Sequence, residues 1–241
     1  MNVSVKKLIY DFVRKYNSQT SNAANRLKIF TVVSYLNEAL EIWFENRVAL
    51  FERDSEVRNA LRNFEKKDQE IAVSKVDITK YRFEIPADFY RKTGLYVKST
   101  SDCCPDIVKE IEPSIVQTDD IFRARKSPYN QSSFKWERLL ADEAGKHYYI
   151  YHEEGHSILK AYLSYIKLPK YLQVVDVCEG EDIGYKDYDG NLITKNIDLE
   201  VDNTFDHRKI TDIAILCATR DNLDSTQFQS QLNKIISTRN L

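Results

Sequence analysis

The hydrophobic period of this chain changes twice, and that change constrains the fold more than any single motif. In the first quarter Val5, Leu8, Ile9, Phe12, Val13 and Tyr16 recur at spacings of three and four, the period of one helix face. The polar cluster Asn17-Ser18-Gln19-Thr20-Ser21-Asn22 ends that helix. A longer helix is predicted from about Ala24 to Phe51, with Ile29, Val33, Leu36, Leu40 and Trp43 on one stripe. Val32, Tyr35, Ala39 and Ile42 widen the stripe, and an apolar face wider than about 100° packs against more than one neighbour. Asp54 and Ser55 offer N-caps to a third helix whose Val57, Leu61 and Phe64 share a side.

From about residue 76 the period becomes two. "YRFEIP" and "GLYVKS" read as strands, and "DDIFRARKSPYNQSS" as a polar loop with a helical turn at its start. The segments "FKWERLLA", "KHYYIYH" and "SILKAYLSYIKLP" predict three consecutive antiparallel strands, a meander being the economical topology for short connections. Asp189-Gly190 signals a further hairpin, and "IDLEV" a last short strand. After Asp206 the helical spacing returns, in Ile210, Ile213, Ala214 and Cys217 and then in Phe228, Leu232, Ile235 and Ile236. The expectation is an α+β fold. An N-terminal helical hairpin or bundle occupies 1–75, a central antiparallel β module 76–204, and C-terminal helices over 205–241 pack back on the first ones.

With 42% hydrophobic and 30% charged residues, the chain is a folded, soluble protein rather than a disordered one. A net charge of −2 offers no global attraction for nucleic acid or anionic membrane. No apolar run reaches the roughly 18 residues of a membrane span, and Asp11, Arg14 and Lys15 interrupt any signal-peptide core. The expected setting is therefore the cytosol, or assembly there. Cys103, Cys104, Cys178 and Cys217 show no C-x-x-C spacing. The adjacent pair reads as reduced thiols in a loop, and Cys217 as a small buried hydrophobe.

One motif asks for chemistry. His152, Glu153, Glu154, Gly155 and His156 spell H-E-x-x-H, which on a helix brings two imidazoles to one zinc ion with the Glu as general base. The flanking tyrosines and isoleucines alternate with period two, however, so Glu153-Glu154-Gly155 is expected to be a hairpin tip with a histidine closing each strand. A zinc-dependent hydrolase is thus the alternative reading rather than the main one. Glycine-rich phosphate loops and the G-x-S-x-G nucleophile motif are missing from the sequence. The acidic run from Asp176 to Asn191 misses the calcium-loop spacing and reads as solvated. No catalytic residue, cofactor or metal is expected.

Surface remains. Tyrosines concentrate at 148, 149, 151, 162 and 165, and alternation along strands places them on both faces of a sheet. One face can be the core and the other a subunit interface, for which Tyr is favoured; Tyr149, Tyr151, Glu153, Glu154 and Tyr165 are the interface candidates. Arg123, Arg125 and Lys126, with Tyr129 beside them, form a basic cluster that could touch DNA or a partner's acidic face.

The succession of "VVSYLNEALEIWFENR", "YRFEIPADFYRKTGLYV", "AYLSYIKLPKYL" and "NIDLEVDNTFDHRKITDIAILCATR" resembles the head-to-tail connector, or adaptor ring, proteins of tailed bacteriophages. These include tail tubular protein A-like adaptors and the ring proteins of crAss-like phages. The nearest local matches are Lys167-Leu168-Pro169-Lys170 and the passage from Glu200 to Arg220. The acidic stretch 176–191 departs from the compact members of the family. The resemblance implies a non-catalytic virion protein at the portal vertex, assembled in the host cytoplasm. It would form a ring of twelve copies, contacting the portal protein and other connector or tail proteins, with DNA passing through the lumen and no membrane contact.

Overall fold

The computed structural model describes residues 3–19, 27–175, 195–201, 203–220 and 223–237. It is α+β, and the chain divides into two compact units. A helical unit takes residues 1–64 and 169–241, and a β unit takes 65–168. The acidic segment 176–191, the Asp189-Gly190 hairpin and Cys178 lie outside the described residues.

The helical unit is organised around α5 (Thr204–Ala218). Ten of its fifteen residues are buried, because Ile215 and Leu216 add a second apolar face to the stripe of Ile210, Ile213, Ala214 and Cys217. A helix apolar on several sides must be surrounded. It packs against α1 (Val5–Gln19), α2 (Ile29–Leu50) and α6 (Ser225–Ser237). On α1 the stripe Val5, Leu8 and Phe12 is buried while Val13 is exposed. The third helix, α3 (Ser55–Ala60), is capped by Asp54, whose carboxylate accepts the Glu56 N–H at 2.8 Å. It ends before Phe64, which enters the core from a 3₁₀ turn and meets the ring of Phe44 at 5.5 Å.

Inside this unit lies a buried ionic contact. Asp206, 1% exposed, accepts a hydrogen bond from Trp43 Nε1 at 3.1 Å and another from Arg47 Nη2 at 2.7 Å. It therefore fastens the first turn of α5 to α2, and its negative charge sits at the helix end that favours anions.

The β unit holds two sheets. The first has the order β1 (Glu65–Ile71), β9 (His156–Lys167), β4 (Phe89–Ser101), β5 (Cys104–Ile111). The second runs β2 (Ser74–Asp77), β3 (Lys80–Glu84), β8 (His147–Tyr151), β7 (Leu140–Ala144), β6 (Ser114–Ile115). Alternate residues of both turn inward to one core that includes Phe83, Val97, Ile111, Tyr148, Ile150 and Leu163, the arrangement of face-packed sheets. Pairing is antiparallel except between β6 and β7, which run parallel. Gly145, at φ +63°, occupies the first position of the two-residue β7–β8 turn, where a positive φ matches the strand twist.

Four expectations are corrected. The β unit begins at Glu65, not near 76. Its first strand, "EKKDQEI", is a sheet edge with mostly exposed side chains, so it lacks apolar alternation. The unit ends at Leu168, not 204. In "IDLEV", Ile197 bridges Gln173, Leu199 bridges Val3, and Asp198 accepts the Val5 N–H at 2.9 Å; the stretch belongs to the helical unit. Within "FKWERLLA" only the last residues are strand, since β7 starts at Leu140. Most important, the expected three-stranded meander does not form. β7 pairs with β8, but β9 lies in the other sheet between β1 and β4.

Asp206→Ala is expected to destabilise the chain by about 3 kcal/mol in urea titration, because it strands a largely buried guanidinium without its counter-charge. Asp206→Asn, which keeps an acceptor for Trp43, is expected to cost less.

Candidate functional site

Since β8 and β9 belong to different sheets, His152–Gly155 is not a hairpin tip but an arch that carries the chain across the end of the β core. The His152 N–H bonds to Thr79 O at 3.0 Å on one sheet. On the other, Gly155 O accepts from the Asp102 N–H at 2.8 Å and from Ser101 Oγ at 3.1 Å. Gly155 takes φ +75°, a backbone that side-chain-bearing residues rarely adopt.

The arch turns both imidazoles inward. His152 is 4% exposed and His156 2%. Their ring centroids stand 5.8 Å apart at 80°, walled by Tyr81 at 5.0 Å from His152 and Phe134 at 5.1 Å from His156. Glu153 does not join them. Its carboxylate accepts the Phe134 N–H at 2.5 Å and so anchors the arch to the neighbouring loop. The helix on which a hydrolytic H-E-x-x-H depends is not formed, and among the described residues no group of three His, Cys, Asp or Glu side chains is placed to hold an ion.

The interface candidates separate. Tyr165 is 2% exposed, in the core, with its hydroxyl donated to Asp88 at 2.8 Å. Tyr151 is 6% exposed, beneath the Arg125 guanidinium at 4.9 Å and the Lys80 ammonium at 5.1 Å. Both are covered by the chain itself, Tyr165 on the core face of β9 and Tyr151 beneath the two cations. Tyr149 is half-buried under Lys80 at 4.0 Å, while Glu153 and Glu154 are exposed.

The basic cluster is a short helix, α4 (Ile121–Lys126). Arg125 is spent on Tyr151 and on Thr79 Oγ1 at 3.3 Å. Arg123, its side chain 87% exposed, has Asp120 at 4.0 Å, and Lys126 lies over the Phe122 ring at 4.2 Å. To Tyr129 the structure adds Phe122, from the stretch read as a polar loop, and Trp136, from a stretch read as strand. Phe122, Tyr129 and Trp136 are all exposed, and Lys135 stands 5.1 Å over Trp136. Arg138 donates to Tyr129 O. Lys109 holds this loop through Phe134 O and Glu137, each at 3.1 Å. Phe122 and Trp136 thus each carry a cation over the ring, and Tyr129 lines one groove with Arg123 and Arg138. A groove of about 470 Å³ in the helical unit is also cation-lined, by Lys7, Arg14, Lys15 and Arg208; there Lys15 is paired with Asp212 at 2.7 Å. The signal in the sequence was the placing of Phe122, Tyr129 and Trp136 each within three residues of Arg or Lys.

Cys103 lies in the β4–β5 turn and Cys104 opens β5, both as free thiols with sulfurs 3.6 Å apart. The Ser101 hydroxyl, and then the Cys104 thiol, lower the Cys103 pKa. Cys217 is buried in α5, and burial pushes its thiol up to about 12.

Burial, reinforced by His152 and Lys109, depresses the His156 imidazole from 6.5 to about 4. Burial also lowers His152, against the pull of the Glu153 carbonyl. An imidazole that must stay neutral in the folded state binds its proton more readily when unfolded. Its contribution is therefore complete above pH ~6.5 and is lost as pH falls from there toward ~4, by up to about 3 kcal/mol for His156. Urea titrations across that window are expected to show the loss, and His156→Leu to flatten the slope.

No protein-family model matches this chain, and no curated protein matches it in sequence.

Proposed function

We propose that this chain is a structural subunit of the connector ring at the portal vertex of a tailed bacteriophage, joining portal to tail around the DNA conduit. The observation that carries this reading is the order of construction. Helices from both ends of the chain build one unit, and the β unit is a single insertion of residues 65–168. That is the arrangement expected from the succession of elements that resembles the adaptor proteins.

A ring needs a heterologous surface repeated through a closing rotation. The exposed aromatic and cationic side chains of residues 122–138 suit one side of such a contact, since aromatics and Arg are enriched where proteins meet. Exposed Glu153 and Glu154 supply opposite charge for a neighbour's cations. With a net charge of −2, the chain would hold passing DNA weakly, as a conduit requires.

Mass spectrometry and cryo-electron microscopy of purified particles test the proposal. The protein is expected in the virion at the portal vertex, and its absence from that vertex would remove the reading. Because the Glu153 carboxylate also anchors the arch to Phe134, Glu154 is reversed alone, and Glu154→Lys is expected to lower the yield of tailed particles roughly tenfold, the effect of about 1.4 kcal/mol at a limiting contact. Unchanged yield would remove the arch from the interface.

A further inference from the structure

The arch leaves four buried polar atoms without partners at one end of the β core. Three are imidazole nitrogens, His152 Nε2 and His156 Nδ1 and Nε2, and the fourth with a partnerless oxygen is Ser99 Oγ on the adjoining strand β4. Ser101 pairs with His156 and Ser99 with Ile158, so Ser99 and His156 are diagonal neighbours in the β4–β9 ladder. Buried polar groups are almost always satisfied, and each one left bare costs about 1–3 kcal/mol. A fold that gathers several at one point calls for a bound species there.

The hydrogen bonding decides which atoms are bare. His152 Nδ1 lies 2.8 Å from the Glu153 carbonyl oxygen. A carbonyl only accepts, so Nδ1 carries the proton and Nε2 presents an unprotonated lone pair. This second bond from the far nitrogen to a backbone carbonyl is the support that orients metal-ligating histidines. His156 has neither nitrogen engaged, and either tautomer of the neutral ring offers one lone pair. A metal held about 2.0–2.1 Å from one nitrogen of each ring puts the two centroids at most roughly 6 Å apart, and the observed separation is 5.8 Å.

We propose that His152 Nε2 and one ring nitrogen of His156 bind a single copper(I) ion in two-coordinate fashion. Imidazole suits copper, and two neutral nitrogens at a wide angle satisfy a monovalent d¹⁰ ion. A dication such as zinc prefers four ligands. The described residues place no third His, Cys, Asp or Glu to supply them, and a double charge without a carboxylate is costly at this depth. The rings of Tyr81 and Phe134 close the site laterally. This goes beyond the connector reading and does not rest on it.

Exposed Cys103 and its neighbour Cys104 are stronger competitors for a soft ion. The test therefore uses the full chain with Cys103→Ser, Cys104→Ser and Cys178→Ser. Anaerobic titration with copper(I) against a chromogenic copper(I) chelator is expected to show one tightly held equivalent. His152→Gln and His156→Gln are each expected to weaken it by more than the roughly 10–100-fold that loss of an outer-shell partner costs. Nitrogen-15 spectra of the histidine-intact protein give a readout independent of those variants' folding. One equivalent should shift His152 Nε2 and one His156 nitrogen and leave the protonation of His152 Nδ1 unchanged. Absence of uptake, uptake retained by both histidine variants, unshifted imidazole signals, or zinc(II) bound in place of copper(I) would each overturn the proposal.

Discussion

A single buried carboxylate holds the helical unit to its connectivity. Asp206 joins residues 159 and 163 positions away in sequence, and both bonds end on one oxygen, so α2 and α5 have one relative placement in which the charge is answered. Apolar packing alone would let two such broadly hydrophobic helices slide or rotate at small cost. The ionic contact adds specificity of register rather than much net stability, which is the usual balance for a buried pair. Around it the remaining helices are arranged by simple area. α1 lends one narrow stripe, α6 little more than Leu232, and α5 takes up whatever its neighbours offer.

What could be read from the sequence follows the range of the interaction that produces it. Helix α1, the Asp54 cap, the 3.6 period of α5 and the alternation in β3 and β8 are local, and they stand where the residue pattern puts them. The connection after Tyr151 was different. Tyrosines alternating on both sides of Glu153-Glu154-Gly155 correctly announce two strands, but alternation is silent on which strand is hydrogen-bonded to which. A short turn containing glycine suits a hairpin and an arch alike; the choice depends on β1 and β4, some 60 to 90 residues earlier, which claim both sides of β9. The strand β1 was lost to the helical part for a related reason, since a polar edge strand carries no apolar signature.

The same distinction separates the surface candidates. Tyr149, Tyr151 and Tyr165 look equivalent in the sequence, yet cation–π cover from Lys80 and Arg125 hides Tyr151 and a carboxylate partner internalises Tyr165. Exposed aromatic side chains stand instead at Phe122, Tyr129 and Trp136, the last of them in a stretch whose residue pattern suggested a strand. The proposed ring contact and the proposed ion therefore draw on different side chains of one unit, and the two adjoin at the arch. The first uses side chains the fold could not bury, and the second uses groups that it buried without satisfying.

The insertion of residues 65–168 has a consequence for the order of events on the ribosome. Every strand pairing of the β unit is closed once Lys167 has been made, so that unit can fold while the chain is still growing. The helices α1 and α2 are synthesised before it, but their apolar faces wait for α5, more than 150 residues behind α2. For that interval the nascent chain carries a finished domain flanked by unfinished, sticky helices, the state in which chaperone capture or premature self-association is most favoured. Helices made before the β unit are thus completed after it.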